Sequence, residues 1–192
     1  MSIASPGLPD PEDRAVARQH AVDLANLLGS KTVSYRRAVI GEPLCYYRVP
    51  VHTEDFWFKV LVSDTDFVFT GEHRKRGALT VPFCFSVKQG WRNLGTTMPL
   101  KTISQELGIA IFAQNSQAEP AVSACLLKPT VRKILNKLDL APLRRISINP
   151  IQIHAVSELI TPQHCAEQVL LLRTLLLSIN SEVQDSPEKS PA

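Results

Sequence analysis

Hydrophobic positions along the 192-residue chain change their period twice. Between Asp10 and Gly29 the period is helical: Ala17, Ala21, Leu24 and Leu28 fall on one stripe. Asp10 can cap such a helix, Pro11 suits its first position, and Asp13 stands three residues after the cap. Gly29 is the natural stop.

From Lys31 to Val87 the period falls to two. "CYYRVPV" and "FWFKVLV" are rich in aromatic and β-branched residues, which suit a pleated, half-buried surface. "DFVFTGEHRKRGALTVPFCFSV" reads as two strands joined by a turn between Gly71 and Gly77. Pro50 and Pro82 belong at strand ends, edges or bulges. The pattern predicts a mainly antiparallel sheet of about four or five strands in the N-terminal half.

After Gly90 helical spacing returns, interrupted by short strands. "PLKTISQELG" predicts a short helix with Leu100, Ile103 and Leu107 inward and Gly108 as its stop. "IAIFAQN" reads as a strand, and "AEPAVSACLL" and "KPTVRKILNKL" as two helices broken at Lys128–Pro129. "RISINPIQIHAV" holds two alternating runs around Asn149–Pro150. Thr161 and Pro162 open a last helix that runs to about Asn180. The expected class is α+β: an N-terminal helix, the sheet, and several C-terminal helices packed on it. One domain over residues 10–180 is expected, with residues 1–9 and an acidic tail, 181–192, disordered.

Composition is that of a folded chain, with 44% hydrophobic and 20% charged residues. The net charge of +3 hides an asymmetry, because residues 14–180 carry 20 lysines and arginines against 12 acids, while both ends are acidic. The N-terminal stretch lacks the basic start and apolar core of a secretion signal. The apolar run "VLLLRTLLLSI" is too short to span a bilayer and contains Arg173. A soluble, cytoplasmic protein is therefore expected. Cys45, Cys84, Cys125 and Cys165 are widely spaced with no Cys-x-x-Cys pair, and apolar residues surround them. Buried free thiols are expected, not a zinc site or disulfides, and no cofactor is implied.

Candidate chemistry is sparse. Residues 128–145 hold six bases against Asp139. Val131, Ile134, Leu135 and Leu138 form an apolar helical stripe, and Arg132, Lys133 and Lys137 fall opposite, with Arg144 and Arg145 following. Such a face is a solvated back or a surface for phosphates. Arg74, Lys75 and Arg76 form a second basic group, expected at a hairpin tip. Asp64 and Asp66 stand two apart, which suits an Asx-rich turn or, with a third ligand, a divalent ion. His164 and Cys165 are adjacent, but neighbours on a helix diverge by about 100° and would not bond to each other. His154 or His52 would have to supply the base for a nucleophilic cysteine. No phosphate-loop, dinucleotide-binding, Gly-x-Ser-x-Gly or His-Glu-x-x-His motif occurs.

The last helix is apolar round well over half its circumference, so it is central to the core or covered by another chain. These features favour a non-catalytic interaction protein that binds another protein or itself, through Leu171, Leu172, Leu175 and Leu176. The alternative is nucleic-acid or polyanion binding through the two basic groups. An enzyme without a recognisable motif is the third reading.

Overall fold

The computed structural model describes residues 11–30, 34–37, 45–52, 56–63, 66–73, 83–86, 98–149, 152–158 and 160–180. The first helix, α1 (Pro11–Leu27), buries Ala17, Ala21, Leu24 and Ala25. It ends where Gly29 takes a left-handed backbone, φ 66°. The small alanines let this helix lie close on the sheet beneath it.

Five strands follow: β1 (Ser34–Arg37), β2 (Cys45–His52), β3 (Phe56–Val62), β4 (Asp66–His73) and β5 (Phe83–Ser86). The C-terminal half supplies β6 (Met98–Pro99), α2 (Lys101–Leu107), β7 (Ala110–Ala113), α3 (Glu119–Leu126), α4 (Pro129–Leu135), β8 (Leu143–Ile148), β9 (Gln152–Glu158) and α5 (Pro162–Asn180). Among the described residues, nine strands join one sheet in the order β1-β2-β3-β4-β9-β8-β5-β7-β6, and every pairing is antiparallel. The fold is α+β.

The antiparallel sheet takes in the short strands expected in the C-terminal half, and the β8–β9 hairpin fills its centre. Two local expectations need correction. With β8 and β9 between them, β4 and β5 are not a hairpin: β4 pairs with β9, and β5 with β8 and β7. Gly71 is also no turn residue. It lies inside β4 opposite Phe58, where a Cβ would come 2.4 Å from a ring carbon of Phe58 and 3.1 Å from Ile153 Cγ2. The glycine makes room for a neighbouring ring. That ring stacks on Phe69 with centroids 5.4 Å apart.

Alternation gives the sheet two unlike faces. Val49, Val51, Phe58, Val60, Val62, Phe67, Phe69, Ile153 and Ala155 point to one side and are buried. One core cluster joins them to buried residues from all five helices, Leu24, Ile103, Leu126, Val131 and Leu172 among them. Burying each such large aliphatic or aromatic side chain contributes about 1.5–3 kcal/mol. Strand β8 keeps its phase by a bulge: the register slips between Leu143 and Arg145, so Leu143 and Ile146 both face the core. Arg144 is the extra residue, and its guanidinium lies 3.1 Å from Asp66 Oδ1 and 3.7 Å from Glu158 Oε1.

Pro50 sits within β2, opposite Lys59 of β3, but the β1 register ends at Arg48. Among the described residues β2 is therefore an edge strand at Pro50, where the missing N–H costs no ladder bond. Residues 1–9, the 181–192 tail and Pro82 lie outside the described residues.

Candidate functional site

Helix α5 begins after Thr161, whose Oγ1 accepts the His164 backbone N–H at 3.3 Å. Its leucines divide by face. Leu172, Leu175 and Leu176 are wholly buried in the core, and Leu171 is partly buried against it. The expected contact with a partner through these four is therefore corrected, because the chain's own core already occupies the first three. Leu170, 47% exposed, is the large hydrophobic residue that α5 shows to solvent.

The basic segment divides too. Val131, Ile134, Leu135 and Leu138 are buried, while Arg132, Lys133 and Lys137 are exposed, as the helical spacing predicts. Arg132 lies 3.6 Å from Glu106 across an open surface, a pair that contributes little. Arg144 is committed to Asp66 and Glu158. Arg145 shares the sheet-face position of Ser147, on the opposite side of β8 from Ile146 and Ile148. The five bases thus divide between α4, the turn that follows it and β8, and keep different company. Arg74, Lys75 and Arg76 lie outside the described residues.

The remaining candidates have structural partners. Ser63 and Asp66 close the β3–β4 turn: the Asp66 N–H donates to Ser63 Oγ at 2.8 Å, and the Ser63 N–H to the Asp66 carbonyl at 2.9 Å. Asp64 lies outside the described residues, among which no group of His, Cys, Asp and Glu side chains is placed to hold a metal ion. His164 Nε2 is 3.3 Å from Asp139 Oδ2, and Gln168 Oε1 accepts the Asp139 N–H at 3.2 Å. Cys165 turns instead into the core, its Sγ 3.8 Å from the Ile160 carbonyl. Burial pushes its thiol up to about 11, against a small lowering from that backbone bond. Such a thiol is not a nucleophile near neutral pH. Cys125 is likewise buried and outside any disulfide, whereas the side chains of Cys45, Cys84 and His52 lie outside the described set. His154 pairs across the β4–β9 ladder with Thr70, Nδ1 to Oγ1 at 3.4 Å.

The second face of the sheet carries what the sequence reading missed. Its residues on β2, β3 and β4 are Arg48 and Pro50, Trp57, Lys59 and Leu61, and Val68, Thr70 and Glu72. Most are half-buried, but Trp57 is 56% exposed. Arg48, Trp57, Phe58, Lys59, Thr70 and Glu72 line a cavity of about 300 Å³ there. The register places Lys59 between Pro50 and Thr70, and pairs Trp57 with Glu72 on the next row. Among the described residues Arg48 and Lys59 have no carboxylate within ion-pair distance, and Arg48 Nε is shielded from solvent with no hydrogen-bond partner. The arrangement, among those residues, is two cations without counter-ions, an exposed indole and a carboxylate opposite it. One signal for it was legible: alternation in "FWFKVLV" puts Trp57 and Lys59 opposite Phe58 and Val60.

No family model matches the chain, and no curated protein does. A structural likeness exists to the mycobacterial trehalose monomycolate transport factor A, TtfA. The TM-score is 0.59 at 12% identity, over 84% of this chain and 96% of that one. At that identity the likeness is one of fold. No helix among the described residues is long and apolar enough to cross a membrane.

Proposed function

We propose that the chain is a non-catalytic interaction protein that docks another protein, or a second copy of itself, on the open face of its sheet around Trp57. The observation that supports this is the 56% exposure of Trp57 on a strand whose next residue, Phe58, is buried. A large exposed indole beside cationic side chains has the make-up of an interface anchor, since tryptophan and arginine dominate binding energy at such surfaces. A photo-crosslinking residue at position 57, in the intact chain in its native host, tests the reading. Protein adducts should form from position 57 and not from position 167 on the exposed side of α5. Equal yields from both positions, or none from 57, would end it.

A second reading keeps polyanion binding through α4. Lys133 and Lys137 are exposed, with no acidic partner among the described residues. Changing Arg132, Lys133 and Lys137 to glutamine should leave stability within about 0.5 kcal/mol for each site, as at other exposed positions. If the wild-type chain retains nucleic acid at low salt and the triple variant does not, α4 is the binding surface. If neither retains it, this reading is dismissed.

A further inference from the structure

The open face repeats a spacing that a partner can match. Lys59 and Trp57 stand two residues apart on β3, a separation of about 6.4–6.8 Å along a strand. An extended segment lying along β3 presents its own side chains i and i+2 on one face at that same distance. Arg48 is a diagonal neighbour of Lys59, through its register partner Leu61, so two cations serve one end of the site. The cavity of about 300 Å³ is at the small end of what ligands use, a size suited to a side chain. Beyond Trp57, Glu72 repels a second acid and so gives the site a direction.

We infer that this cavity recognises an extended acidic segment of a partner protein, with a carboxylate side chain at Arg48 and Lys59 and a large apolar one, two residues along, on Trp57. Charge complementarity argues for that occupant. The shielded Arg48 Nε, unpaired in the free chain, is a donor awaiting an acceptor, and an unmet buried donor is costly. A carboxylate supplies that acceptor and neutralises both cations. The inference rests on the docking face proposed above, and its test separates the two.

A random peptide library is panned on the full-length chain, its R48Q/K59Q double variant and its W57A variant, each first checked for an unchanged unfolding transition. The wild type should enrich Asp or Glu two positions from Leu, Phe or Trp. The double variant should keep the apolar preference and lose the acidic one, and W57A should lose both. R48K/K59R, which keeps the charges, serves if the glutamine variant does not fold, and should retain the acidic preference. For the best wild-type peptide, replacing its acid by the amide should weaken binding at least about tenfold, the scale of a charge-assisted hydrogen bond. Enrichment without an acidic preference, or one unchanged by R48Q/K59Q, overturns this inference and leaves the docking face standing. No peptide above background on the wild type overturns both. If 2-naphthoate saturates the cavity more tightly than any peptide, a small-molecule site replaces the proposed partner segment.

Discussion

Trp57 and Phe58 are chain neighbours in opposite surroundings, one 56% and the other 2% exposed. Strand geometry forces that separation, because consecutive side chains leave a pleated sheet on opposite sides. The consequence here is a division of labour. The face that carries Phe58 is covered by helices and shares one core cluster with them. The face that carries Trp57 holds Arg48, Lys59, Thr70 and His154, half-buried at most positions. Stability resides on the first side, and recognition is proposed for the second. Substitutions at these two neighbours should therefore have effects of very different size.

The largest effect is expected on the covered side. Phe58→Ala removes a ring that stacks on Phe69 and fills the space left by Gly71. It should cost about 3–5 kcal/mol in urea unfolding, as for other buried aromatic residues. A cost below about 1 kcal/mol would show that the two faces are less unequal than their burial implies.

Next comes a pH effect, from α5 on that same covered side. The Cys165 thiol is raised from 9.0 to about 11 by burial. Below pH 9 it is protonated in both folded and unfolded chains. Between pH 9 and about 11 the unfolded chain releases this proton while the folded chain holds it, so stability falls as pH rises. The loss across that window is about 2–3 kcal/mol. Cys165→Ala removes this one titration, so the stability difference between wild type and variant should move by that amount. A difference independent of pH would mean that the thiol is not desolvated.

Gly71→Ala follows. A Cβ placed 2.4 Å from a Phe58 ring carbon forces the ring aside, and overpacking of this kind costs about 1–3 kcal/mol. In a Phe58→Ala background the same change should cost far less, so a double-mutant cycle should show strong coupling. Independent effects would place the ring elsewhere.

How much of this was legible in the sequence depends on how local the cause is. The buried stripe of α4, the break at Pro129 and the start of α5 after Thr161 follow from spacing, proline and a capping hydroxyl. All of these act within a few residues. The place of β5 did not follow, because the β8–β9 hairpin that displaces it lies some sixty residues further along the chain. A lone glycine such as Gly71 is a turn signal in sequence, whereas its cause here is a ring on the neighbouring strand. The leucines of α5 stand out by number, and number alone does not say whether a helix is enclosed by its own chain. The cavity was hidden for a similar reason. Arg48, Lys59 and Glu72 come together only through the register of three strands.

The smallest effect sharpens the comparison most. Trp57→Ala removes the largest side chain of the open face, yet more than half of that surface is already in water. Little burial is lost, so the variant should unfold within about 0.5 kcal/mol of the wild type. The neighbouring substitution at Phe58 is expected to cost several times that, although both residues belong to one strand and both are aromatic. Denaturation midpoints of the two variants, measured side by side, decide the matter. A large loss at Trp57 would mean that the indole is a structural element of the isolated chain, and it would take away the support for a docking face. A negligible loss would leave an exposed indole that folding does not require, and a partner is what then accounts for it.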